Sequence, residues 1–110
     1  MAWKVERTQK EIVKQLAVIL HQQEWSAERV TIVSADISAK LDYVHIYVSI
    51  WPPENEQKVI KELNSQKGLI KKELAVKLRM RLMPDIGFYV DRGAEAATKV
   101  AQLLSEIEES

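Results

Sequence analysis

The chain has 110 residues, of which 46% are hydrophobic and 29% are charged, a composition typical of one globular domain with a modest core. It contains no cysteine, which excludes disulfides and thiolate zinc or iron–sulfur sites. No apolar run approaches the roughly 20 residues of a membrane helix, and the N-terminus has no signal or transit pattern. We therefore expect a single domain over residues 1–110, located in the cytoplasm.

Charge is unevenly distributed along the chain. The formal net charge is zero, yet Lys67–Arg81 holds six basic residues and one acid. A neutral domain can still carry a local positive field that attracts phosphates. This segment is therefore a candidate surface for a polyanion.

Residues 3–23 have the apolar spacing of an amphipathic helix. Its basic residues fall on nearly the opposite side from the apolar stripe: Lys4, Arg7, Lys10, Lys14 and His21. This side is either a solvated polar face or a second basic strip that adds to Lys67–Arg81.

Residues 30–37 and 43–51 have the β-branched content and alternation of two strands, and the short polar link between them predicts an antiparallel hairpin. In the second strand the even-numbered residues are apolar, whereas Tyr43, Tyr47 and Trp51 face the other way. These aromatic side chains could stack on bases, but a helix covering that face is the simpler expectation.

Residues 54–66 predict a second helix whose apolar stripe continues past Gly68, which favours a kink at that glycine over a straight helix that tolerates it. Residues 77–83 alternate again, and the phase continues through Pro84 to residue 90, which predicts one long strand. A final helix is predicted over residues 94–108, with a frayed acidic end. The order is α-β-β-α-kink-α-β-α, an α+β two-layer domain with a three-stranded sheet packed on helices.

No pattern in the chain indicates catalysis. There is no nucleophile elbow, no phosphate-binding glycine loop and no metal-binding histidine pair, and His45 is best explained as a surface histidine. We therefore expect a binding protein without enzymatic activity, cofactor, metal or small-molecule substrate.

Four segments together are similar to a known family. Val30–Ser38 followed by Leu41–Ser49 resembles the paired-strand signature of bacterial ribosome-binding factor A. Gly68–Leu74 leading to Leu78–Asp91 resembles its kink glycine, basic helix, L-R-x-R/K motif and P-x-x-x-F-x-x-D motif. The order and spacing of these motifs cover nearly the whole chain.

The resemblance implies a type II KH-like domain in which an Ala-x-Gly kink between two helices replaces the usual GxxG loop. The matching triplet here begins with Gln66 rather than alanine and ends with Gly68. The resemblance also implies a late maturation factor of the small (30S) ribosomal subunit. Such a factor binds free 30S subunits near the 5′ region of 16S rRNA and supports rRNA processing.

The basic residues on the two predicted strips are the candidate rRNA-binding residues, with Gly68 shaping the backbone between them: Arg7, Lys10, Lys14, Lys67, Gly68, Lys71, Lys72, Arg79 and Arg81. A monomer without membrane attachment is expected. Two other interpretations remain open at this point. One is a protein–protein module that uses the aromatic sheet face without direct RNA contact, and the other is a small ferredoxin-like hydrolase.

Overall fold

The computed structural model of the protein describes residues 2–91. The predicted helix over residues 94–108 lies outside this range. Within it, no helix is long and apolar enough to cross a membrane. The elements in chain order are α1 (Ala2–His21), β1 (Arg29–Ile37), β2 (Tyr43–Trp51), a short 3-10 turn (Pro53–Asn55), α2 (Glu56–Ser65), α3 (Lys67–Leu78) and β3 (Asp85–Val90).

The three strands form one mixed sheet in the order β1-β2-β3. β1 and β2 pair antiparallel, which confirms the predicted hairpin. β2 and β3 pair parallel, because the α2–α3 segment carries the chain back to the start of the sheet. This parallel pairing was not predicted from the sequence.

The helices pack on the even-numbered face of β2. Val44, Ile46 and Val48 of that face have no exposed surface. The core they form with the helices also takes in two consecutive turns of α3 at Ile70 and Leu74. The side chains fully buried in this core are Ile12, Leu16, Ile19, Val44, Ile46, Val48, Val59, Leu63, Ile70, Leu74 and Phe88.

A bulge in β1 changes which side chains face the core. Up to Ile32 the even-numbered residues face inward, and from Ala35 onward the odd-numbered residues do so, with the register shift between Ile32 and Ser34. Val33 and Ser34 are both exposed as a result. A bulge accommodates one extra residue while the apolar side chains on both sides of it keep facing the core.

The predicted strand over residues 77–83 is wrong. α3 continues to Leu78, and β3 begins only at Asp85. The parallel register pairs Asp85 with Tyr43, the first residue of β2, so residues before Asp85 would have to pair with the hairpin turn instead of a strand. Leu82, which would lie on the apolar face of such a strand, is 90% exposed.

The predicted break between two helices is present, but it lies at Gln66 and not at Gly68. Gln66 leaves helical geometry, with φ −103° and ψ 4°, and serves as the C-cap of α2 and the N-cap of α3. Gly68 already belongs to α3 and does not have a positive φ. The bend therefore needs no glycine-specific conformation.

Asn64 of α2 closes the outer edge of β3. Its side-chain nitrogen donates to the Phe88 carbonyl at 3.1 Å, and its side-chain oxygen accepts from the Phe88 N–H at 3.0 Å. The same nitrogen also donates to the Ile60 carbonyl. One amide thus satisfies the backbone groups that a neighbouring strand would otherwise pair with.

The segment between α1 and β1 is fixed to α2 by one carboxylate. Ser26 donates to Glu62 through both its backbone N–H at 2.9 Å and its hydroxyl at 2.7 Å. These two hydrogen bonds, with a smaller contribution from Lys58, lower the pKa of Glu62 below its ordinary value.

We expect Asn64→Ala to destabilise the fold by about 1–3 kcal/mol, because it removes the hydrogen bonds to Phe88 and leaves backbone groups unpaired. The free energy of unfolding from urea titration measures this. Asn55→Ala is the matched control, since Asn55 makes no side-chain cap bond, and should change stability by less than about 0.5 kcal/mol. Equal losses of stability in the two variants would contradict a stabilising role of the Asn64 hydrogen bonds.

We expect Glu62→Gln to lower stability at neutral pH and to have a smaller effect in acid. Folding lowers the pKa of Glu62, so the ionised carboxylate stabilises the folded state fully above the ordinary pKa of 4.5. This stabilisation is lost as the pH falls through the pKa of the folded state. Urea unfolding of both proteins near pH 7 and well below pH 4.5 measures the difference. Glu54→Gln, at an exposed acid, is the control; a pH-independent loss in Glu62→Gln would contradict the expectation.

Candidate nucleic-acid interface

α3 is buried on one side and basic on the other. Ile70 and Leu74 point into the core, whereas Lys72 lies on the solvent side with Gly68 and Arg79. Gly68 and Lys72 are four positions apart and therefore share one face of α3, whereas Arg79 directly follows the last residue of the helix. The predicted helix with a basic outer face is confirmed for Lys67–Leu78.

An open groove beside α3 brings together four of the predicted site residues: Gly68, Lys71, Lys72 and Arg81. Ala75 of α3 forms part of its floor, and Leu82 and Met83 of the loop after α3 form its other wall. The loop places Arg81 beside the start of the helix, although the two are more than a dozen residues apart in the chain. The groove is therefore lined by cations from two segments.

Lys71 forms an ion pair with Asp85. Its Nζ donates to Oδ1 of Asp85 at 2.7 Å, and this hydrogen bond, followed by the positive charges of Lys71 and Lys67, lowers the pKa of that carboxyl. The pair joins α3 to the first residue of β3. Lys72 and Arg81 are exposed and carry the positive charge on the open side of the groove.

Arg79 ends α3 in a left-handed conformation, with φ 55° and ψ 41°. Its N–H donates to the Val76 carbonyl at 3.2 Å, and the Met80 N–H donates to the Ala75 carbonyl at 2.9 Å. This is a Schellman ending, in which glycine is the favoured residue because a side chain at positive φ costs about 1–2 kcal/mol. An arginine at this position is therefore locally unfavourable, and its guanidinium is left exposed.

The α1 residues join this surface only in part. Arg7 lines a groove with Leu78 and Met80, where α1 meets the end of α3. Lys10 and Lys14 are exposed on α1 but line neither groove. Lys67 is exposed at the start of α3, close enough to Asp85 and Tyr89 to influence their ionisation.

The opposite face of the sheet carries an aromatic cluster. Tyr43, His45, Tyr47 and Tyr89 lie with neighbouring ring centroids 4.8–6.4 Å apart. The hydroxyls of Tyr43 and Tyr89 are hydrogen-bonded at 2.9 Å, and this bond, with partial burial, raises the pKa of Tyr89. The described helices pack on the other face, so within residues 2–91 the predicted helical cover is not found.

Gly87 of β3 lies directly under the Tyr43 side chain, whose hydroxyl is hydrogen-bonded to Tyr89. A Cβ at this position would clash with the Tyr43 hydroxyl oxygen, so any larger residue would displace the end of the tyrosine side chain from its place over the strand. Asp85 and Gly87 are the important residues that the sequence interpretation missed. Their partners Lys71 and Tyr43 are distant in the chain, and no local pattern signals either contact.

In the described part of the chain, no group of three or more histidine, aspartate or glutamate side chains is placed to hold a metal ion. α3 and the following loop place the exposed cations Lys72 and Arg81 beside an open groove, which suits contact with phosphates.

Known proteins share this sequence and fold. The family model for ribosome-binding factor A matches residues 4–104. A ribosome-binding factor A from Coprothermobacter proteolyticus is 32% identical over 106 residues, covering 94% of this chain and 77% of the relative. In other relatives the match is shorter and spans 57–60% of the relative's length.

One solved structure and one fitted homology model share the arrangement of helices and strands. The solution structure of a Thermotoga maritima protein described as a putative ribosome binding factor A is 30% identical, with a TM-score of 0.72, covering 84% of this chain and 92% of that one. A homology model of the Thermus thermophilus ribosome binding factor A, fitted into the cryo-EM map of a 30S complex, gives a TM-score of 0.65 at 20% identity, covering 76% of this chain and 90% of that one.

The type II KH-like α+β fold that the sequence resemblance implied is thereby confirmed. Together with the family match over most of the chain, it shows that this chain belongs to the ribosome-binding factor A family.

Proposed function

We propose that this protein is a late maturation factor of the small ribosomal subunit, acting as a monomer in the cytoplasm. It binds free 30S subunits through the 5′ region of 16S rRNA and supports processing of that RNA without catalysing a reaction. The observation that carries the proposal is the cationic groove beside α3, in a chain whose family relative from Thermus thermophilus has been placed in a 30S complex.

The proposed contacts are with phosphates and carry little sequence information. Lys72 and Arg81 face solvent across the groove, and Arg79 adds an exposed cation just after the end of α3. Arg7 adds a cation where α1 meets α3. Lys10, Lys14 and Lys67 extend the positive surface, whereas Lys71 contributes less because Asp85 neutralises much of its charge.

A second candidate is a protein–protein contact through the aromatic face. Trp51 is 56% exposed and Tyr89 is 40% exposed, so the described residues leave apolar surface there. This contact would respond weakly to salt and to charge reversal beside α3, whereas phosphate binding weakens steeply with salt.

Co-sedimentation with purified 30S subunits tests the proposal. We expect the protein to migrate with free 30S subunits at low salt and to be absent from whole ribosomes. Reversal of Lys71, Lys72, Arg79 and Arg81 to glutamate should abolish this migration, because repulsion replaces the phosphate contacts.

The matched control reverses four exposed basic residues elsewhere, Arg29, Lys40, Lys58 and Lys61, and changes the net charge equally. This control should still bind, and thermal unfolding should show that both variants are folded. Failure of the unaltered protein to bind, or equal losses in both variants, would contradict the proposal.

We expect Arg79→Gly to stabilise the protein by up to about 1 kcal/mol and to weaken 30S binding. Glycine relieves the left-handed conformation, while one phosphate contact is lost. The slope of log affinity against log salt should become shallower by about 0.7–0.9.

Leu41→Gly is the matched control, because Leu41 also has a positive φ, of 60°, but lies in the exposed hairpin turn. It should raise stability without changing 30S affinity. Unchanged binding by Arg79→Gly would remove Arg79 from the interface.

A further inference from the structure

The aromatic cluster presents ring surface on the open face of the sheet. Tyr47 and Tyr89 are register partners on the neighbouring strands β2 and β3, with ring centroids 6.1 Å apart. Both rings also neighbour His45, whose plane lies within 14° of that of Tyr47. Within residues 2–91 no helix packs on this face, and Trp51, four residues beyond Tyr47, is exposed. Neighbouring rings on adjacent strands are the arrangement by which open sheet faces stack unpaired bases.

The cluster is ordered by a hydrogen bond of its own. The hydroxyls of Tyr43 and Tyr89 are bonded at 2.9 Å across Gly87. This bond restrains the Tyr89 ring before any ligand arrives, so less side-chain freedom is lost when a ligand binds. The restrained ring offers a flat surface, and stacking on such a surface accepts any base.

Lys67 joins the aromatic face to the cationic groove beside α3. Its charge acts on the ionisation of Tyr89, which places it near that ring. It also directly precedes Gly68, which lines the groove. An RNA strand whose phosphates occupy the groove therefore passes Lys67 when it continues onto the aromatic face.

The aromatic face also carries carboxylates. Asp36 is opposite His45 in the β1–β2 ladder, and Asp91 directly follows β3. Asp85, at the start of β3, is ion-paired with Lys71. The face therefore has no positive field of its own, so a nucleic acid held there is recognised by ring surface more than by charge.

We propose that the aromatic face stacks unpaired bases of a single RNA strand whose backbone continues past Lys67 into the cationic groove. Tyr89 and Trp51 are the stacking platforms, because they are the most exposed rings of the face. Trp51 lies roughly 13 Å along β2 from Tyr47, the neighbour of Tyr89, so the two platforms receive different bases. This binding mode rests on the proposed function in taking RNA as the ligand and adds a second contact surface to it.

The test measures binding of the full chain to a labelled single-stranded oligoadenylate by fluorescence anisotropy. Trp51→Leu and Tyr89→Leu should each weaken binding about tenfold, because leucine keeps apolar bulk but offers no ring for stacking. Tyr89→Phe should restore the affinity, since it keeps the ring and removes only the hydroxyl bonded to Tyr43. The leucine variants should leave the slope of log affinity against log salt unchanged, whereas Lys67→Ala should make it shallower by about 0.7.

Val76→Ala is the matched control protein. Val76 is 78% exposed on α3, so the change removes apolar surface outside the aromatic face and should leave binding unchanged. Duplex RNA of the same length is the control ligand. Its bases are stacked within the helix, so the leucine substitutions should not weaken its binding. Equal losses for duplex and single strand would overturn the inference.

The remaining outcomes separate the possible occupants of the face. Unweakened binding of the single strand by the leucine variants, or no binding by the unaltered protein at low salt, would also overturn the inference. If the leucine variants lose binding to purified 30S subunits but not to the oligoadenylate, the face contacts a protein instead. If the unaltered protein fails to bind 30S subunits while the oligoadenylate results hold, the proposed function fails and the stacking surface stands.

Discussion

The even-numbered side chains of β2 hold every described helix on one face of the sheet. Val44, Ile46 and Val48 are fully buried, and α1, α2 and α3 all contribute side chains to the core around them. β3 can pair with β2 only in parallel, because the chain returns across this face through α2 and α3. Burial of one side of α3 therefore forces its other side, with Lys72, into solvent.

This constraint gives α3 two different requirements. Toward the core it needs large apolar residues, which Ile70 and Leu74 supply. Toward solvent its composition departs from what a stable helix favours: Gly68 stands where alanine fits, and Arg79 stands where glycine fits. Gly68 lies on the same helix face as Lys72, and Arg79 is the exposed residue that follows the end of the helix. A sequence optimised only for helix stability would have alanine at position 68 and glycine at position 79.

The sequence was sufficient for the parts of the fold that depend on local periodicity. The bounds of β2 were predicted correctly because alternation and the following prolines coincide, and the hairpin followed from its short link. The long strand through residues 77–83 was wrong because a basic–apolar alternation there also fits the end of a helix. Only the register of Asp85 against Tyr43 decides between the two, and that contact spans the chain.

The candidate site was predictable in composition but not in arrangement. Charge counting identified Lys71, Lys72 and Arg81, yet nothing local shows that Arg81 faces Gly68 or that Asp85 neutralises Lys71. These relations arise from the crossover, which brings distant segments together. A sequence can therefore indicate that a polyanion surface exists before it indicates which cations are free.

The bulge in β1 has a consequence for changes in chain length. Because Val33 and Ser34 both face solvent, removal of one of them would leave Val30 and Ile32 on the inner face together with Ala35. β2 has no such extra residue in its pairing, so a deletion there would move the side chains of half of the strand from the core face to the solvent face and the reverse. β1 is thus the strand of this sheet in which a single-residue deletion is compatible with the same core.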